Sequence, residues 1–115
     1  MRDRLNDRNR LSHILDAIDV IMANKYVYEC AVSDPIIFFG FVKHIEIIGE
    51  AVYKLTKEYR ASHPEVEWDA IEGMRHVLVH GYYTIRPEQL WATIVDDIPL
   101  LKPLIQKLYE EYDLK

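Results

Sequence analysis

From Phe38 to Tyr59 the large apolar residues are Phe38, Phe41, Ile45, Ile48, Val52, Leu55 and Tyr59, in unbroken alternating steps of three and four. That spacing keeps them on one face of an α-helix and cannot be kept on one face of a strand, whose period is two. Ile37, Gly40, His44, Ile47 and Ala51 form a second, narrower line on the same helix. Two lines predict contacts on two sides, with the helix's own bundle and with a partner copy of the chain. Asp34 followed by Pro35 marks the start: a side-chain acceptor at the N-cap and a fixed φ at the first helical position. The stop is expected near Ala61, ahead of Ser62-His63-Pro64.

Three further segments carry the same period. From about Asp3 to Glu29, Leu11, Leu15, Ile18, Met22 and Tyr26 recur at steps of three and four, with Asp16, Asp19 and Lys25 between them. A break is expected over Ala31 to Pro35. A shorter helix is expected from about Glu67 to Val79, closed by Gly81, since glycine tolerates the left-handed conformation of a C′ position. Pro87 opens the last helix, whose stripe is Trp91, Ile94, Ile98, Leu101, Ile105 and Leu108. Pro99 and Pro103 fall inside it and each removes a backbone donor. The apolar register continues through both, which predicts one kinked helix, not two. The fold class is therefore all-α: an antiparallel bundle of about four helices with a kinked last helix, a single domain over residues 1–115.

Composition narrows the class. Half of the 115 residues are hydrophobic and only four are glycine, enough for a packed helical core and too few residues for two ordinary domains. One cysteine, Cys30, cannot form an internal disulfide. The start, Met1-Arg2-Asp3-Arg4, does not read as a signal peptide, and the longest apolar-rich stretch, Pro35 to Val42, is far below the ~20 residues that cross a bilayer. No membrane association and a cytoplasmic location are expected. The net charge of −5 bears on partners, because nucleic-acid binders usually present a basic surface. An acidic chain can still act on RNA where its basic groups are gathered in one cleft.

The densest chemistry is in Arg75-His76-x3-His80-x-Tyr82. Arginine carries a permanent charge on a planar fork suited to phosphate oxygens, and histidine titrates near neutrality and serves as base or acid. Cleavage of RNA through its own 2′-OH needs those functions: a base, a proton donor for the leaving 5′-oxygen, and positive charge on the phosphate. At ~100° per residue, Arg75 and His80 lie roughly 140° apart around a helix, so one subunit presents a sparse site. Two subunits about a two-fold axis bring two Arg and two His to one phosphate. More ordinary readings stand beside this one. Arg75 is within helical reach of Glu72 and could pair with Glu46 or Glu50. Glu46 and Glu50 either support the site or form a solvated face. His76 and His80 share a face with Glu72 and could bind zinc, although the third ligand of a catalytic site is not evident. There is no Gly-rich phosphate loop, no Gly-x-Ser-x-Gly and no cysteine pair.

The motif resembles that of the HEPN superfamily, and within it the Arg-x4-His-x-Tyr of HepT-like toxins. The resemblance extends to Ile45-Glu46-Ile47-Ile48-Gly49-Glu50-Ala51-Val52, to Pro64 with Trp68, and to Gly73-Met74-Arg75, covering roughly Asp34 to Leu108. His76 departs from the Asn that most relatives carry there. The resemblance implies a metal-independent, cofactor-free endoribonuclease acting as a homodimer on an RNA substrate, with Arg75 and His80 catalytic and His76, Glu46 and Glu50 supporting them. It also implies the toxin role in a type II/VII-like toxin–antitoxin pair, with a minimal nucleotidyltransferase antitoxin that silences the toxin by AMPylation of Tyr82, which otherwise contacts substrate. The alternative is a non-catalytic HEPN dimer serving as an adaptor for a nucleotidyltransferase or a nucleotide.

Overall fold

A computed structural model describes residues 4–24, 34–80 and 86–113, with the side chains at 4, 5, 76–80, 87 and 113 outside the description. The described residues are helical almost throughout and contain no strand. Helix α1 spans Arg4–Asn24, α2 Pro35–Lys54, α3 Lys57–Ser62 and α4 Trp68–His80. The last stretch comprises α5 (Pro87–Ala92), a π-helical turn (Thr93–Asp97) and α6 (Ile98–Asp113) without interruption. The expected break over residues 31–33, the helix-ending Gly81 and the far end of the first helix, 25–29, lie outside the described residues.

Helix α1 is central, packed against α2 on one side and α6 on the other, while α4 lies on the far side of α2. That position explains why α1 buries more than the expected stripe: Ile14, Ala17 and Ile21 are buried together with Leu11, Leu15 and Ile18. One line of residues serves one neighbour, and α1 has two. Neighbours run antiparallel. Asp7 of α1 meets Thr56 beyond the end of α2, while Arg8 lies under the Tyr109 ring at 4.7 Å and Asp19 pairs with Lys102 at 2.9 Å.

The second helix starts as expected. Asp34 caps it, accepting a hydrogen bond from the Ile36 N–H at 3.0 Å, with Pro35 at the first helical position. It does not run on to Ala61. The backbone leaves the helix at Leu55 and Thr56, both extended, and restarts as α3 with Thr56 as N-cap. The cause is a competing acceptor. Asp7, buried to 4 % exposure, takes the Thr56 N–H at 2.8 Å and the Thr56 hydroxyl at 2.7 Å. The same hydroxyl accepts the Tyr59 N–H at 3.2 Å. The apolar stripe outlives the break, since Leu55 is buried and Tyr59 packs on the core. Tyr59 stacks on Tyr112 at 5.4 Å, and burial, followed by the nearby Tyr112 hydroxyl and the Asp7, Glu111 and Glu65 carboxylates, pushes its own hydroxyl well above the usual value. Tyr59 therefore stays neutral.

Asp7→Ala should lower stability by about 2–3 kcal/mol, because it removes two hydrogen bonds to a charged acceptor and leaves Thr56 without its partner. Urea unfolding followed by circular dichroism checks this, and a loss below half a kcal/mol would show that the junction is held by something else.

The last helix keeps its register through both prolines, as expected. Ile94, Ile98, Ile105 and Leu108 are buried, and Trp91 and Leu101 pack against them. The distortion takes the form of the π turn, where the Ile98 N–H reaches back to the Thr93 carbonyl. It sits immediately before Pro99, whose ring would clash with the carbonyl four residues back in a regular helix. A widened turn relieves that clash. Among the described residues no helix is long and apolar enough to cross a membrane.

Candidate active site

Helix α4 forms where expected, one residue later at each end, and offers Trp68, Ile71 and Met74 to the core. Trp68 is buried, its indole N–H donating to the His63 carbonyl at 2.9 Å. Arg60 of α3 holds the start of α4 from outside, with Nη1 on Glu72 and Nη2 on Asp69, each at 2.7 Å. Glu72 is thus paired with Arg60, and the ion pair of Arg75 is made with Glu50 instead.

Arg75 is the next residue after the core-facing Met74 and lies against α2. Its Nε donates to Glu50 Oε2 at 2.6 Å, and its guanidinium sits 5.2 Å from the centre of the Tyr53 ring. Of the three carboxylates open to it in the sequence, the fold selects Glu50. Among the described residues the one hydrogen bond from this guanidinium is that from Nε. The other Glu50 oxygen lies 3.6 Å from Lys54 Nζ, while Glu46 lies 3.5 Å from Lys43 and not beside Arg75.

The pairing depends on a glycine. α2 and α4 approach so closely at Gly49 that a Cβ built there would land on Arg75 Cβ and within 3.2 Å of its Cα. Any larger residue would separate Arg75 from Glu50. Sequence reading missed both Tyr53 and this contact; the signal was present, since Gly49, Glu50 and Tyr53 lie within four residues and cluster on one side of a helix.

The helix runs unbroken through His80, so the separation of roughly 140° expected between Arg75 and His80 holds for the backbone. The side chains of His76 and His80 and the whole of Tyr82 lie outside the described residues. Among the described residues no three His, Cys, Asp or Glu side chains gather as metal ligands.

Glu46 and Glu50 also line a groove of about 370 Å³ between α1 and α2, with Arg10, His13, Lys43 and Lys54. Ile47 and Ala51 belong to it as well, so the lower half of the second apolar line serves α1 of the same chain. Its upper half, Ile37, Gly40 and His44, borders a second groove with Val20, Ile21 and Asn24 of α1. The second line therefore borders grooves against α1 of the same chain, while its upper part stays accessible at the exposed Gly40 and the half-buried His44.

The profile of a family described as ribonuclease HepT-like matches residues 11–108. A protein of Caldanaerobacter subterraneus subsp. tengcongensis, named as a candidate RNase, is 36% identical over 106 residues, covering 90% of this chain and 95% of the relative. A "Probable ribonuclease HepT" of Thermococcus cleftensis is 32% identical over 103 residues, covering 88% and 94%. A candidate RNase of Methanocaldococcus jannaschii is 30% identical over 107 residues, covering 91% and 88%. No solved structure gives a significant match. With a match across nearly the whole helical core and relatives of the same length, this chain belongs to the HepT-like family of the HEPN superfamily.

Proposed function

We propose that this chain is a metal-independent endoribonuclease that works as a homodimer and is the toxin of a pair whose antitoxin is a minimal nucleotidyltransferase. The observation that carries the reading is Arg75. In a HepT-like chain it is held by Glu50 through Nε alone, at 2.6 Å, with its terminal nitrogens directed to no other acid among the described residues. A fork positioned from behind and open in front suits a phosphodiester.

His80 of one subunit takes the proton from the 2′-OH as that oxygen bonds to phosphorus. The P–O5′ bond breaks, and the leaving oxygen receives a proton from the second His80. The products are a 2′,3′-cyclic phosphate and a 5′-hydroxyl. The angular separation of Arg75 and His80 supports a site shared between subunits, and Arg75 neutralises the charge that grows on the phosphate. His76 supports the site, Tyr82 contacts substrate, and AMP attached to Tyr82 by the partner enzyme blocks it.

Purified protein in EDTA should cut RNA to cyclic-phosphate ends, and His80→Ala should reduce the rate by roughly 10²–10⁴. Equal RNA decay with both proteins would discard the nuclease reading. The acidic balance and the Arg75–Glu50 ion pair favour a second reading, a non-catalytic dimer that binds a nucleotidyltransferase or a nucleotide. In that case co-expression with a nucleotidyltransferase gives a stable complex while no form of the chain degrades RNA.

A further inference from the structure

The groove between α1 and α2 stands apart electrostatically. Three permanent cations line it, Arg10, Lys43 and Lys54, with His13, against the two carboxylates Glu46 and Glu50. Both carboxylates have cations close by: Glu46 lies by Lys43, while Glu50 lies by Lys54 and by Arg75, which adds a fourth cation at the groove's edge. The three other concavities described are neutral or acidic in their lining, with Asp7, Glu58 and Glu111 in one and Glu65, Glu67 and Asp97 in another. A chain of net charge −5 thus places its one cationic hollow, among those described, beside Arg75. Arg10 is half-buried, with its Nε covered and, among the described residues, without a hydrogen-bond partner.

We propose that this groove seats a single RNA strand, with successive phosphates on Lys43, Arg10 and Lys54, and delivers it to Arg75. The proposal rests on the ribonuclease reading for its choice of polymer and extends it to how substrate is held. Lys43 and Lys54 are eleven residues apart on α2, about 16 Å along the axis, a length of roughly five phosphate intervals of a stacked strand at ~3.4 Å each. Glu50 joins the two parts, since one of its oxygens faces Lys54 in the groove and the other holds Arg75.

The test uses a fluorescent 2′-O-methyl 12-mer oligoribonucleotide, which lacks the attacking hydroxyl and so reports binding without cleavage. Its affinity is measured by anisotropy across a salt series for wild type, for Lys43→Gln/Lys54→Gln and for Lys57→Gln/Lys107→Gln. The last pair removes the same charge away from the groove, and Lys43 and Lys54 are exposed enough, at 65% and 48%, for the fold to tolerate the change. The groove pair should weaken binding about tenfold or more near 0.1 M salt and flatten the log–log salt slope by about 1.4, with the reference pair close to wild type. Equal losses in the two pairs, or wild-type binding without salt dependence, overturn the proposal. A wild type that cuts RNA while the groove pair binds unchanged defeats the groove alone. Groove-dependent binding by a protein that cuts no RNA upholds the groove and removes the ribonuclease reading.

Discussion

Arg75→Ala should cut RNA roughly 10²–10³-fold more slowly than the wild type at saturating substrate, with helical content unchanged. The size follows from what the residue does in the proposed reaction: it supplies a fixed positive charge where the phosphate gathers negative charge. Arg75→Lys should recover little of the loss. Lysine is a point donor and cannot hold Glu50 through one nitrogen while presenting a planar pair of nitrogens to an anion. Glu50→Gln should fall between, since an amide still accepts from Nε but holds the guanidinium less firmly. Rates from quenched single-turnover assays decide the matter. If Arg75→Ala stays within about threefold of wild type, the guanidinium is only a structural partner of Glu50.

Gly49→Ala should be among the most damaging single-methyl changes in the molecule. The added carbon lands on Arg75 Cβ and close to its Cα, and neither is the far end of a flexible side chain that could swing aside. Helices α2 and α4 must separate, at a cost of about 1–3 kcal/mol and several degrees in Tm, and activity should fall with stability because Glu50 and Arg75 part. Gly73→Ala makes the contrast. That glycine is also inside a helix, but a Cβ there meets nothing within 4 Å. It should stabilise by about 0.5–1 kcal/mol, the gain expected when alanine replaces glycine in a helix interior. Thermal scans of the two variants side by side check the opposite signs.

The sequence announced helices through periodicity, and periodicity reported which residues face the core more faithfully than where the backbone is continuous. The stripe from Phe38 to Tyr59 is unbroken although the helix is not, because Leu55 and Tyr59 pack on the core whatever the turn between them does. The break required Asp7, an acceptor 49 positions away, and nothing local to Thr56 revealed it. The last helix was legible through its prolines because a proline's missing donor and bulky ring are local facts. At the site, Arg75 stood out through its motif, yet its partner did not: Glu46, Glu50 and Glu72 were equally open until α4 was seen to meet α2 at Gly49. The cationic groove was illegible for the same reason, since Arg10 and Lys43 come together only once α1 lies antiparallel on α2.

The π turn ahead of Pro99 has a consequence for how this chain tolerates change in length. A π turn carries one residue more than the α turn it replaces. Deleting a single residue between Thr93 and Asp97 would let the backbone close into a regular helix with the residues after it on nearly the same face, whereas a deletion within the regular turns of α6 would rotate everything beyond it by ~100° about the axis. Ile105 and Leu108 would keep facing α1 after the first change and swing away from it after a deletion just ahead of them in α6, so the hydrophobic interior tolerates a change of length in the π turn better than in the regular helix that follows.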